Sequence, residues 1–203
     1  SLIILLPVLV GLLLWHQLPE QIPVHFNSKG VADSYQSKLW GVTFIYLVIF
    51  ACHWFAAIIT SVDPRRRNIS SKIYRLVLWI CPVISVFVGV MIYGTALNWP
   101  WVNINFMANL LLGVIFIVIG NYLPKCRQNY TVGIKVPWTL ASEANWDATH
   151  RMAGKLWVAG GVLILLLAIQ PWIPAFPISL VLILAVTFIP MIYSFVYYLR
   201  NEK

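Results

Sequence analysis

The feature that most constrains this chain is a series of six apolar runs, each near the length that crosses a bilayer. They are Leu2–Leu18, Leu39–Val62, Tyr74–Leu97, Ile104–Tyr122, Leu156–Trp172 and Ile178–Leu199. A hydrocarbon core about 30 Å thick takes roughly 20 helical residues. Backbone N–H and C=O groups meet no water there, so each run must satisfy them internally, as a helix rather than a strand. Only 10% of the residues are charged. A soluble domain carries about 25%, so this chain has too little ionic surface to face water all round. The expected fold class is all-α: a polytopic membrane protein in which residues 1–203 form a single bundle of about six transmembrane helices. The first run is the shortest of them, about 26 Å at 1.5 Å per residue. A cleavable signal peptide is the rival reading for it. No small-residue cleavage site follows Trp15, which favours a retained helix.

Orientation follows from where the cations fall. Of 14 Lys and Arg, twelve lie in the second loop, the fourth loop and the C-terminal tail, while the first loop holds Lys29 and Lys38. Cytoplasmic loops carry the Lys/Arg excess, so both termini are expected in the cytoplasm. Aromatic residues agree: Trp15, Trp40, Trp99, Trp101 and Trp172 fall near the outer interface, and Tyr122, Tyr197 and Tyr198 near the inner one. The net charge of +8 therefore reads as an orientation signal, and no direct nucleic-acid binding is expected. Two polar appendages remain, an outer loop over 19–38 and an inner loop over 123–155. Cys52, Cys81 and Cys126 are too scattered for a disulfide or metal pattern. Cys126 falls in the inner loop, where it would report the cytoplasmic side in thiol labelling, with Ser34 as the outer counterpart.

The spans carry no Asp, Glu, Lys or Arg except at their ends, which weighs against ion-coupled transport. His53, within the second span, is most simply a neutral imidazole bonded to a neighbouring helix, the sharper reading being a proton relay. Asn105, Asn109, Gly113 and Asn121 follow one another in steps of four through Ile117 on the fourth span. Such a stripe marks helix–helix contact through small and amide side chains; a water-filled transport path is the alternative. In the outer loop Pro19 and Pro23 forbid a regular helix, Val24–Phe26 can run extended, and Asn27–Gly30 reads as a turn. That loop suits partner recognition or serves as an ordered connector. Metal binding by His25 with Glu20 or Asp33 matches no ligand spacing. In the inner loop Thr139 or Ser142 can cap a helix, on which Glu143, Asp147 and His150 share a face. An acid–base or metal cluster is one reading of that face. A solvated face with ion pairs to Arg151 is the plainer one. No nucleophile elbow, zincin helix, phosphate loop or dinucleotide fingerprint appears, so no catalytic residue, metal site or cofactor is expected.

Those two loops also carry a resemblance. The outer stretch Leu18-Pro19, Ile22-Pro23, His25-Phe26-Asn27 and Gly30, followed by Asp33, resembles the N-terminal motif of SdpI-type bacterial membrane proteins. The inner stretch is similar to the second signature of that family: Gly120-Asn121, Pro124-Lys125, Asn129, Gly133-Ile134-Lys135, Pro137-Trp138-Thr139, Trp146, Thr149-His150-Arg151 and Gly154. Lys135 departs from the Arg expected there, and a bidentate grip on a carboxylate or phosphate would be weakened by it. The resemblance implies a multi-pass protein of the bacterial plasma membrane that acts by binding. It would protect its cell from a secreted, membrane-active toxin of the SdpC type, and a second role would hold a transcriptional repressor at the membrane. His25, Phe26, Asn27 and Gly30 become the candidates for toxin recognition. The inner signature becomes a cytoplasmic surface for signalling.

Overall fold

The computed structural model of the protein describes residues 1–170 and 175–201. A short 3-10 turn (Leu2–Leu5) leads into α1 (Leu6–Leu13), followed by strands β1 (Gln21–Phe26) and β2 (Ala32–Ser37). The helices α2 (Lys38–Ser61), α3 (Ser71–Ala96), α4 (Ile104–Tyr122), the short α5 (Pro137–Ala141), α6 (Glu143–Ala168) and α7 (Ala175–Asn201) complete the described chain. Five segments, α2, α3, α4 extended to Lys125, α6 and α7, are long and apolar enough to cross a membrane. At 1.5 Å per residue they cover about 33–40 Å. Phe55, Val181 and Ile192 on their outer faces are each more than 60% exposed, as apolar side chains that face lipid would be. Trp172 and Lys203 lie outside the described residues.

Three expectations need correction. The fold is mostly helical but not all-α, because β1 and β2 pair as an antiparallel hairpin from Gln21↔Ser37 to Phe26↔Ala32. The extended Val24–Phe26 and the turn at Asn27–Gly30 are where the sequence puts them; β2 was not anticipated. The first run is helical only to Leu13, and its 12 residues reach about 18 Å, short of the hydrocarbon thickness. Past Leu13 the chain turns, and Lys38 Nζ donates to the carbonyl of Trp15 (3.2 Å) and to Glu20 Oε1 (2.9 Å). Finally, α6 begins at Glu143 rather than Leu156, so the capped inner-loop helix and the fifth span are one element.

The chain divides into two compact units. The first comprises residues 1–57 and 76–111. Leu18, Ile22, Val42, Tyr46, Ile92 and Tyr93 form its buried cluster. Ile22 of β1 packs where a Cβ on Gly41 of α2 would stand 2.6 Å away. Pro7 offers no N–H, and the carbonyls around it find partners on α3: Ser85 Oγ donates to Ile4 O (2.7 Å) and Tyr93 Oη to Pro7 O (2.8 Å). Gly11 lets the Tyr93 ring approach, since a Cβ there would meet its hydroxyl at 2.5 Å. His53 is buried, with Nε2 and Ser1 Oγ 3.1 Å apart. The second unit, residues 58–75 and 112–203, has one cluster around Ile69, Ile73, Cys126 and Trp146 and another around Phe116, Ile164 and Val186.

Candidate functional site

In the second unit the inner signature folds back on the start of α6 and is tied down by buried polar groups. Asn129, with no exposed surface, acts as the staple. Its Nδ2 donates to the carbonyls of Arg127 (2.8 Å) and Val132 (2.9 Å), while Oδ1 accepts from the backbone N–H of Thr131 (2.9 Å) and Val132 (2.7 Å). An Asn side chain that satisfies its own loop in this way replaces the backbone pairing that a loop lacks. Thr139 Oγ1 donates to Ile134 O (2.8 Å) and accepts from Val136 N (3.1 Å), closing the step into α5. Ser142 caps α6 by accepting from Asn145 N at 3.2 Å.

Trp146 and His150 form the floor beneath this loop. Trp146 is fully buried, and its Nε1 donates to Cys126 O at 2.6 Å. The His150 ring stacks on it with centroids 4.0 Å apart and 21° between planes. His150 Nδ1 faces the Trp146 carbonyl (2.8 Å), and Nε2 faces the backbone N–H of Ile134 (2.9 Å). A carbonyl only accepts and an amide N–H only donates. The imidazole is therefore neutral with its proton on Nδ1, and both nitrogens are used by the backbone. Gly133 crosses above with φ +125, in the left-handed region. A Cβ there would meet His150 Nε2 at 2.5 Å and the Trp146 ring at 2.9 Å.

Two groups that sequence reasoning missed hold this unit together, and the first anchors the same loop. Asp63, 5% exposed, accepts from Arg65 N (2.7 Å) through Oδ1 and from Tyr130 N (3.0 Å) and Thr131 Oγ1 (2.8 Å) through Oδ2. Arg65 in turn bonds Gln128 Oε1, and Gln128 Nε2 donates to Thr139 O at 2.7 Å. The available signal was a lone acid set between an apolar run and three arginines, in Asp63-Pro64-Arg65. The second group is Asn145, which exchanges hydrogen bonds with Ser194: Nδ2 donates to Ser194 O and Ser194 Oγ donates to Asn145 Oδ1, both at 3.1 Å. These bonds fasten α6 to α7.

Glycines draw α4 and α6 together. Virtual Cβ atoms place Gly113 2.9 Å from Gly161 O and Gly161 2.7 Å from Gly113 O. Gly120 and Gly154 pair likewise, at 3.0 and 2.7 Å. Spacings of seven on both helices were the readable sign of this seam. The stripe of four passes through Asn109 and Gly113, both buried, but steps of four drift about 40° per step and carry Asn121 to an exposed position. Asn109 is buried and donates to the Asn105 carbonyl at 2.7 Å.

The remaining members of the signature differ in what they can offer. Lys135 is exposed and donates to Thr131 O at 2.8 Å. That bond closes its own loop. Trp138 packs on Phe195 (5.1 Å), Pro137 is exposed and opens α5, and Arg151 is exposed. Among the described residues no ion pair joins Arg151 to Glu143 or Asp147, and no trio of His, Cys, Asp or Glu is placed to hold a metal. Glu143 and Asp147 are exposed while His150 is buried, so the three do not share one environment.

In the first unit the hairpin brings His25 and Asp33 together, Nδ1 to Oδ1 at 2.6 Å, with both side chains well exposed. Glu20 is engaged with Lys38 instead. Asn27 Oδ1 accepts from Lys29 N (2.9 Å) and Val31 N (3.1 Å), so Asn27 holds the turn together. Phe26 is half-buried in β1, and Gly30, at φ +76, packs against the Asn105 amide.

Cys126 is a poor reporter of sidedness. It is 4% exposed and its thiol donates to Val132 O at 3.3 Å. Burial pushes the thiol up to about 11, with the Asn129 amide pulling the other way. The thiolate is the reactive form. In a Cys52- and Cys81-free protein at pH 8, Cys126 should therefore react roughly a hundredfold or more slower than a free thiol of pKa about 8.5. It should reach the free rate on unfolding in dodecyl sulfate. Equal rates before and after unfolding would show the loop to be open.

What these elements define is a multi-pass helical membrane protein with a backbone hairpin in one unit and a stapled, largely buried signature loop in the other. Residues 125–198 match the SdpI/YfhL protein family, and residues 2–50 match a domain of unknown function, DUF1648. The chain is 25% identical over 201 residues, 97% of its own length and 92% of the relative's, to a protein named Immunity protein SdpI from Bacillus subtilis (strain 168). No solved structure matches it. The resemblance to SdpI-type proteins thus runs through nearly the whole chain, and the protein is a multi-pass protein of the bacterial plasma membrane.

Proposed function

We propose that this chain is an immunity protein: it protects the cell that makes it from a secreted, membrane-active toxin of the SdpC type, by binding and without a chemical step. The observation that carries the reading is the similarity along 97% of the chain to an immunity protein. The side chains described above support it. His150, the strongest acid–base candidate, has both ring nitrogens committed to backbone groups. Asn109 closes onto its own helix, which favours packing over a transport path. In the proposed orientation the hairpin and the 97–103 turn face outward, and the cation-rich segments 62–75 and 123–155 face the cytoplasm. Both termini are then cytoplasmic, which requires residues 1–18 to complete a sixth crossing.

The test is survival of a sensitive bacterium against toxin dose, with and without this protein, and with its membrane level measured in the same cells. Protection at equal growth supports the reading; no protection against any co-encoded toxin overturns it. His25→Ala should lower protection with membrane levels unchanged, because its only described partner is the exposed Asp33. Asn27→Ala should lower both, since two backbone N–H groups of the turn, those of Lys29 and Val31, lose their acceptor. Full protection by both variants would show that the hairpin acts only as a connector. Sidedness is read with an impermeant thiol reagent on intact cells, in a background lacking native cysteines. Ser34→Cys, exposed on β2, should label, and Asp147→Cys, exposed on α6, should not. The reverse pattern would invert the topology.

A further inference from the structure

The hairpin turn and the segment between α3 and α4 enclose a cleft of about 420 Å³ in the first unit. That volume lies within the roughly 300–1,000 Å³ of small-ligand sites. Lys29 and Gly30 form one lip, Thr95, Asn98 and Asn105 supply polar lining, and Trp99 gives a flat wall. The cleft is built by specific backbone features. Gly94 lets the returning chain lie close, since a Cβ there would meet Val102 at 2.4 Å. Asn98 sits at φ 55, where Asn is among the few side chains tolerated. Trp99 N donates to Gly94 O at 2.8 Å and its ring stacks on Trp101 at 5.4 Å, which fixes the wall.

The chemistry of the lining is selective. No carboxylate borders the cleft, and Lys29 has no ion pair among the described residues. The side-chain amides of Asn98 and Asn105 and the hydroxyl of Thr95 have no hydrogen-bond partner among the described residues, so their donors and acceptors are available. An ammonium suits one anionic group, paired amides suit the alternating N–H and C=O of a peptide backbone, and an indole face suits an apolar side chain. A phosphate headgroup would call for several cations or an arginine fork, and one lysine among amides does not supply that.

We propose that this cleft binds a carboxylate-bearing, extended segment of a secreted polypeptide, with Lys29 on the carboxylate and Asn98 and Asn105 on its backbone. This rests on the immunity reading, in which the polypeptide is the toxin. The recognition surface then lies in the cleft behind the hairpin tip as much as on His25.

The experiment uses the full chain in phosphatidylcholine nanodiscs and the SdpC-type toxin of the protection assay, fluorescently labelled, in native form and with its carboxyl groups methyl-esterified. The native toxin should bind, and esterification should weaken it about tenfold or more, the scale of a lost charged contact in a partly desolvated site. Lys29→Glu should weaken native toxin to a similar degree, and Lys29→Arg should restore most of it. Asn105→Asp, adding a negative charge to the lining, should do the same as Lys29→Glu. If Asn105→Asp lowers membrane levels, the exposed turn position Lys29 decides alone. If the wild type binds and protects while esterification and Lys29→Glu change nothing, the cleft assignment falls and immunity stands. If phosphatidylglycerol in the nanodisc displaces native and esterified toxin alike, the cleft is a lipid-headgroup site and the peptide assignment is overturned. If the wild type neither binds nor protects, both readings fall.

Discussion

Gly133→Ala is expected to remove most of the folded protein from the membrane. At φ +125 an alanine is strained by about 1–3 kcal/mol. Its methyl would also stand 2.5 Å from His150 Nε2 and 2.9 Å from the Trp146 ring, adding roughly 1–3 kcal/mol of overpacking. The neighbours cannot easily yield. His150 is held by Trp146 O and Ile134 N and stacked at 4.0 Å, and Trp146 is itself bonded to Cys126 O. A combined loss of about 2–6 kcal/mol is a large part of the roughly 5–15 kcal/mol that holds a domain folded. The measurements are membrane abundance and the thermal midpoint in detergent, with Lys135→Ala as an exposed control that should change little. In the Gly133→Ala background, His150→Ala should cost less than it does alone, because it relieves the contact; backbone strain would remain. A Gly133→Ala protein as abundant and as heat-stable as the wild type would mean the loop is loose.

The inner signature was legible as a pattern in the sequence, but its role was not. Its positions read as a cytoplasmic surface, whereas Asn129, Thr139, Trp146 and His150 are buried. Helical spacing tells which residues share a face and leaves open what covers it. Glu143 and His150 lie close on the helical wheel, yet the 126–136 loop folds over the later turn only, so one is exposed and the other buried. Asp63 was invisible for a similar reason: its three donors come partly from a loop more than 60 residues away. At the other end, the turn at Asn27–Gly30 was readable from its residues. Strand β2 was not, because Ala32–Ser37 is almost wholly exposed and lacks the apolar alternation that marks a strand. The pairing there is backbone bonding set by the turn. Five of the six runs were legible as helices long enough to cross, since apolar length is the quantity that lipid selects, and α4 begins and ends where the sequence places it; the first run falls short, and the polar start of α6 gave no apolar signal.

Gly160 and Gly161 are adjacent on α6, and their alanine variants should diverge. Alanine gains up to about 1 kcal/mol over glycine within a helix, so propensity alone favours both changes. The neighbours decide otherwise. A Cβ on Gly160 would meet Val186 Cγ1 at 2.6 Å, with nothing else nearer than 3.8 Å. That is one side-chain methyl, able to move by a rotamer change or a small shift. A Cβ on Gly161 would meet Gly113 O at 2.7 Å, Ile117 Cγ1 at 2.8 Å and Ile117 N at 2.9 Å. Two of these are backbone atoms of α4, which yield only if the helices separate. Separation would also loosen the Gly120–Gly154 contact one heptad away, and would undo the packing of Leu165 against Gly113. Close backbone approach is what small residues contribute to helix association in lipid, where no hydrophobic force draws the helices together. Gly160→Ala should therefore shift the thermal midpoint in detergent little in either direction. Gly161→Ala should cost roughly 1–3 kcal/mol, and the double variant Gly154→Ala/Gly161→Ala should lose most folded protein. The decisive comparison is the difference between the two adjacent single variants, read in the same detergent. Equal midpoints for Gly160→Ala and Gly161→Ala would mean that α4 and α6 are not in backbone contact and that the seam does not hold them.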